Sequence, residues 1–272
     1  MARERVLIAV KTYPTLSQKY IELVCTAGFR EDGSWIRIYP SPFRFLRDEQ
    51  KYRKYQWVEL DLKKNIKDKR PESFSPSNID DIILDDYIST KNNWEARKSF
   101  ILKNNKVYTN LKEIISGAHN NEFSLAVFKP NKILNFLSEK VTDQWKPSRQ
   151  IAAEEALKQG SLFEDNDQEE LLLMPKLPYK FYYQFIDDVG KKSKLMIEDW
   201  EIGQLYWNCA KKHGEEIAVQ KVREKYMDDF AHTKDLYLFL GTTYRYHNMK
   251  SRNPYVIIGT FHPPIEKQYN LI

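Results

Sequence analysis

Glycine is scarce, with 9 in 272 residues, and that argues against a Gly-rich phosphate-cradling loop before any motif is sought. Cysteine is scarcer. Cys25 and Cys209 lie far apart in apolar strand and helix contexts, so two buried free thiols are expected in place of a disulfide. No apolar run approaches the roughly 20 residues that a bilayer crossing needs. The opening "MARERVLIAV" is basic but has no cleavable signal pattern. A cytoplasmic location with no membrane partner is the expectation. The histidines, at 119, 213, 232, 247 and 262, show no metal-ligand spacing. No nucleotide loop and no nucleophile motif is present, so no resident cofactor is expected.

What the chain does have is aromatic residues and an uneven charge. Aromatics make up 14%, with 17 Tyr, and hydrophobic residues 42%, enough for a sizeable core. Residues 1–75 hold 16 Lys and Arg against 10 Asp and Glu, a surplus of six positive charges, whereas the remainder is nearly neutral. A surplus placed in one region is a clue to an anionic partner.

The pattern predicts an α+β fold. "RVLIAVKTY", "YIELVCTAG", "WIRIYP" and "YQWVELDLKK" alternate like strands. Asp32-Gly33 marks a hairpin, because Gly tolerates the positive φ of a tight turn. Together they suggest a small β-barrel-like antiparallel sheet with inserted short helices. "RPESFSPSN" reads as a loop, "NWEARKSFILKNN" and "NLKEIISGAHNN" as helices, and "FSLAVFKP" as a buried strand returning to the first sheet. The second half predicts a hairpin, two amphipathic helices and a second hairpin, with Asp199 capping the first helix and Gly214 stopping it. Its outline is that of a winged helix with a wing at 243–253, carrying Arg245, Lys250 and Arg252. The expected division is a β-rich basic domain (1–142), an acidic linker (143–176) and a smaller α+β domain (177–272).

"WIRIYPSPFRFLRDEQKYRKYQW", residues 35–57, carries the main functional signal. Residues two apart share a strand face, so Ile36 and Ile38 point inward and Trp35, Arg37 and Tyr39 outward. Such an aromatic and cationic stripe suits nucleic acid, since bases stack on rings and Arg meets phosphate. Arg44, Arg47, Lys51, Arg53 and Lys54 extend it as phosphate contacts, and Trp57 adds a ring. The expectation is a non-catalytic binder of DNA or RNA that uses the basic, aromatic-bearing sheet face and loop of residues 30–70. The competing reading buries Trp35 under a later element such as 123–130 and pairs Arg37 with Glu59 or Asp61. Two other functions fit. One is a Mg-dependent nuclease, with Glu59, Asp61 and Lys63 on one strand face and Asp48 as a further carboxylate. The other is a protein-interaction subunit of a larger complex.

Overall fold

Alternating apolar residues build the first sheet, and its ends meet. The computed structural model describes residues 2–17, 21–161 and 172–266. Strand β3 (Ile21–Arg30) pairs antiparallel with β1 (Ala2–Lys11), β2 (Thr15–Ser17) and β4 (Trp35–Ser41). Gly33, at φ 83°, makes the predicted β3–β4 turn. Strand β5 (Gln56–Lys64) returns to pair with β1, and β7 (Ile83–Tyr87) adds to its other side. Strand β6 (Ser73–Pro76) lies inside the stretch expected as a loop. It is four residues long and parallel to β4, so it left no alternating signature. It closes the order β1-β3-β4-β6-β5 into a five-strand barrel. Gly28 is obligatory there, since a Cβ would stand 2.1 Å from the Leu7 carbonyl oxygen. Gly28→Ala is expected to cost about 1–3 kcal/mol by overpacking, measured by urea denaturation.

The chain then adds α1 (Lys91–Asn104), β8 (Val107–Tyr108), α2 (Leu111–His119), β9 (Leu125–Phe128), β10 (Lys132–Lys140) and α3 (Pro147–Ser161). Next come β11 (Tyr179–Ile186), β12 (Lys192–Ile197), α4 (Trp200–His213) and α5 (Glu215–Arg223), which runs on into a π-helical stretch, Glu224–Ala231. Strand β13 (Tyr237–Thr242), α6 (Tyr244–Asn248) and β14 (Tyr255–Phe261) follow. Asp199 and Gly214 cap α4 as the sequence predicts, and Asn110 caps α2 in the same way. Asn110 accepts from the Lys112 amide and Asp199 from the Glu201 amide, while Gly214 ends α4 at φ 85°.

Two expectations, the return of the 123–130 strand to the first sheet and the free wing, are corrected by the second sheet, ordered β10-β11-β12-β14-β13-β9-β8. The 123–130 strand does not return to the first sheet. It is β9, and it pairs with β13 and β8. The sheets therefore divide the chain near residue 90, and the second sheet takes strands from both sides of the 143–176 segment. Within that segment α3 packs on β2 and β3, and the acidic centre at 162–171 lies outside the described residues. Finally, β13 and β14 form no free wing, because β9 and β12 flank them.

Three apolar layers result. Ile8, Ile36, Ile38, Val58 and Leu60 fill the barrel. Leu7, Phe29 and Trp57 on its outside meet Val127, Phe239 and Phe261 of the second sheet. The sheet's other face packs Phe181, Tyr183, Leu238 and Leu240 against Ile202, Tyr206 and Tyr226 of the helical layer. Alternation along β13 sends Phe239 to the barrel and its two neighbours to the helices. Each fully buried side chain of this kind contributes about 1.5–3 kcal/mol.

Candidate nucleic-acid interface

Most of the expected stacking stripe is covered by the second sheet. Trp35 lies 4.1 Å from the Phe29 ring and edge-on to Phe239 at 5.4 Å. Trp57 is buried in the same layer, and the Arg5 guanidinium covers its ring at 4.6 Å. Arg37 is 2% exposed and cannot contact a phosphate. It does not pair with Glu59 or Asp61 either, since β4 neighbours β3 and β6. Its Nη1 donates to Ser124 Oγ at 2.7 Å and Ser73 Oγ at 3.2 Å. Ser124 Oγ passes the contact to Glu72 Oε2 at 2.7 Å, and Ser73 Oγ to Asp68 Oδ2 at 2.8 Å. Asp68 in turn binds Arg70, whose Nη1 reaches the Thr242 carbonyl oxygen at 2.5 Å. Two cations and two anions thus balance through bridging serines. Tyr39 alone of the stripe stays open, at 38%.

The 44–54 cations are largely spent on internal partners. Arg44 Nη1 donates to both Glu22 carboxylate oxygens, at 2.7 and 2.8 Å. Lys51 pairs with Asp48 at 2.7 Å, and Arg47 with Glu49 at 3.4 Å. Lys54 turns into the protein to meet Glu201 at 2.9 Å and Asp199 at 3.8 Å. Arg53 is exposed and forms no ion pair among the described residues. The acidic-x-Lys strand is engaged as well. Arg3 contacts Glu59 at 3.3 Å and Asp61 at 4.0 Å, and Lys63 is exposed. The described residues contain no group of three or more side chains placed to share a metal.

A different basic surface is assembled where residues 65–70 meet 243–252. The Tyr244 hydroxyl donates to the Lys67 carbonyl oxygen at 3.2 Å. The Asn121 amide bonds the Lys69 carbonyl oxygen at 3.3 Å, and the same side chain holds His247 Nε2 at 2.9 Å. Asn65 reaches the Tyr39 carbonyl oxygen at 3.4 Å, which places Tyr39 at the rim. Lys67, Lys69, Arg245, Lys250 and Arg252 are all exposed, and none of them forms an ion pair among the described residues. Residues 243–253 contain no carboxylate. Tyr244, Tyr246 and Met249 stand out beside the cations at 51%, 48% and 63% exposure. The three cations of the expected wing take part, but on a short helix and loop. Lys67 and Lys69 fall within the expected 30–70 region but were not singled out, because the aromatic signal of 35–57 outweighed a plain "KDK" loop.

The Lys54 cluster joins the barrel to α4. Burial pushes the Asp199 carboxyl up to about 7, against the pull of Lys54. Burial also lowers the His262 imidazole to about 3. The two shifts act in opposite directions on stability. Above its unfolded value of about 4 the Asp199 carboxyl keeps a proton only in the folded chain, so its contribution is lost as pH rises toward 7. Below about 6.5 the unfolded chain protonates His262 and the folded chain does not, so stability falls with acid. Asp199→Asn retains an oxygen for the α4 cap and leaves the histidine slope alone. Its melting temperature is expected to climb by roughly 5 °C between about pH 4.5 and 6.5, while the parent stays nearly flat. Thermal melts followed by circular dichroism read this directly, and a flat variant profile counts against it.

Among the described residues no helix is long and apolar enough to cross a membrane. The model of one family, described as Domain of unknown function (DUF8758), matches residues 2–103, which are the barrel and α1. No curated protein matches the chain. A solved structure titled "Structure of murine DNA binding protein bound with ds DNA" is 9% identical, with 98% of each chain covered at a TM-score of 0.32, below that of a shared fold. The model of a second family matches residues 87–272, overlapping the first at the barrel's exit. By that match over most of its length, the chain belongs to the family described as Domain of unknown function (DUF8757).

Proposed function

We propose that the protein binds nucleic acid, without chemistry of its own, through the face formed by residues 65–70 and 243–252. The observation that carries this reading is five exposed cations, none with an ion-pair partner among the described residues, on two touching segments. Unpaired exposed cations such as Lys63, Lys211 and Lys212 occur elsewhere, and Arg3, Lys51, Lys106 and Lys140 face a carboxylate; what sets the five apart is that two touching segments gather them beside exposed tyrosines, with no carboxylate in residues 243–253. Unpaired cations beside exposed tyrosines suit a phosphate backbone with bases within stacking reach. Tyr39, of the originally expected stripe, extends the same face.

Fluorescence anisotropy with labelled single-stranded DNA, duplex DNA and RNA tests the reading across salt. Up to five phosphate contacts give a slope of log K against log salt of about −3 to −5. The relative affinities name the preferred strand type. If no probe binds at about 50 mM salt, where phosphate contacts are strong, the proposal fails.

A further inference from the structure

A cavity of about 380 Å³ lies where α1 and α4 meet the end of β14, far along β14 from the basic face. Tyr55, Trp94, Arg97, Lys225, Phe230 and His262 are among the residues that line it. Its walls are rings: Trp94 lies 6.3 Å from Tyr55 and 5.1 Å from His262, which stacks on Phe230 at 3.6 Å. Of its charged lining, Lys54 pairs with Glu201 at 2.9 Å and Lys225 with Asp229 at 2.7 Å, whereas Arg97 faces no carboxylate among the described residues.

One polar group in it lacks a partner and a second lacks a counter-ion among the described residues. The Tyr55 hydroxyl is buried with no hydrogen bond, on a residue 4% exposed. Arg97 is 3% exposed and makes no ion pair among the described residues. Its Nε donates to the Ile88 carbonyl oxygen at 2.8 Å and its Nη2 to the Tyr87 hydroxyl at 2.5 Å. That leaves Nη1 unused among the described residues. The Tyr55 ring lies 3.9 Å from the guanidinium carbon. A buried Arg without a carboxylate is costly unless something anionic completes it.

The backbone bears the same mark. Tyr55 has φ 66° and Trp94 φ 64°, the left-handed region that costs a bulky residue about 1–2 kcal/mol. Both strained residues deliver their rings to this one cavity. Strain held in place by its surroundings concentrates at ligand clamps.

We propose that this cavity binds a nucleotide, its phosphate on Arg97 and the Tyr55 hydroxyl and its base against the aromatic wall. The volume is within the range of about 300–1,000 Å³ typical of small-ligand pockets. Planar bases match ring walls, and a phosphate matches a guanidinium fork edge and a phenolic donor. The same chemistry is offered by a free nucleoside monophosphate and by the 5′-phosphorylated end of a strand.

Isothermal titration of the full chain with AMP, GMP, CMP and UMP tests the site, beside the matching nucleosides and inorganic phosphate. At least one monophosphate is expected to bind about tenfold tighter than its nucleoside and than phosphate alone. Tyr55→Phe removes only an unpartnered hydroxyl, so it is expected to weaken binding about tenfold with an unchanged melting temperature. Lys225→Gln, at the rim, serves as a second variant. A 5′-phosphorylated oligonucleotide that displaces the monophosphate assigns the site to strand ends, and one that fails to displace it assigns the site to free nucleotides. The proposal is overturned by no binding at millimolar monophosphate, by equal binding of nucleoside or phosphate, or by indifference to both variants. Alanine at the five surface cations leaves this binding unchanged, which separates failure here from failure of the surface reading.

Discussion

Alanine at Lys67, Lys69, Arg245, Lys250 and Arg252 together is expected to lower affinity for a labelled oligonucleotide by about 10²–10³-fold at 100 mM salt. The salt slope should flatten by most of its value, because each lost phosphate contact removes about 0.7–0.9 from it. Thermal stability should change little. All five side chains are exposed and form no ion pair among the described residues, and surface substitutions of that kind fall within about 0.5 kcal/mol. The control is Arg44→Ala. Its guanidinium is committed to Glu22, whose side chain is 2% exposed, and to the Leu172 carbonyl oxygen. Its loss strands a buried carboxylate, so stability falls while affinity holds. Anisotropy and a thermal melt on the same samples separate the two outcomes. Equal affinity for the parent and the five-site variant would sink the surface assignment.

Arg37→Met should destabilise the fold by about 3–5 kcal/mol, the largest single-site effect expected. The change keeps volume but removes the donor to Ser73 and Ser124, leaving Glu72 and Asp68 without one of two balancing cations. A buried ion set loses most when only one member is taken away. Arg37→Lys is not expected to rescue it, because one ammonium cannot reproduce the fork that meets both hydroxyls. Arg37→Met combined with Glu72→Gln should recover part of the loss, since it restores the charge balance. Urea denaturation of the three variants gives the values. A loss under about 1 kcal/mol for Arg37→Met would show that the network matters little to folding.

Arg37 also marks where sequence reading stops. Alternation placed Ile36 and Ile38 inside the barrel correctly, and it placed Arg37 on the opposite face correctly too. It did not reveal that this face is buried, because the cover comes from Ser124 and Phe239, some 90 and 200 residues on. Barrel strands, caps and turns were legible because each depends on neighbours in sequence. Strand β6 was not, because four residues and a parallel partner carry no period. Arg44 and Lys54 looked like phosphate contacts because their carboxylate partners, Glu22 and Glu201, are distant in sequence, whereas the partners of Arg47 and Lys51, Glu49 and Asp48, stood beside them. Arg245, Lys250 and Arg252 were visible as a polar basic loop, yet only tertiary contact joins them to Lys67 and Lys69. The surroundings of His262 were not legible, since they depend on Trp94 and Phe230.

The order of strands has a consequence for synthesis on the ribosome. Every barrel strand lies within residues 2–87, so the barrel can close while the rest of the chain is still emerging. The second sheet cannot, because β9 waits for β13, pairing Phe128 with Leu238. Until then the barrel's outer face, with Phe29, Trp35 and Arg37, has lost water from its inner side only. A newly made barrel therefore shows a sticky apolar patch with a charge at its centre, and needs about 150 further residues before it is covered, from Tyr87 to β13 at Tyr237. Such delayed long-range pairing is slow and exposes the intermediate to aggregation. A chain truncated after β10 would hold that state permanently.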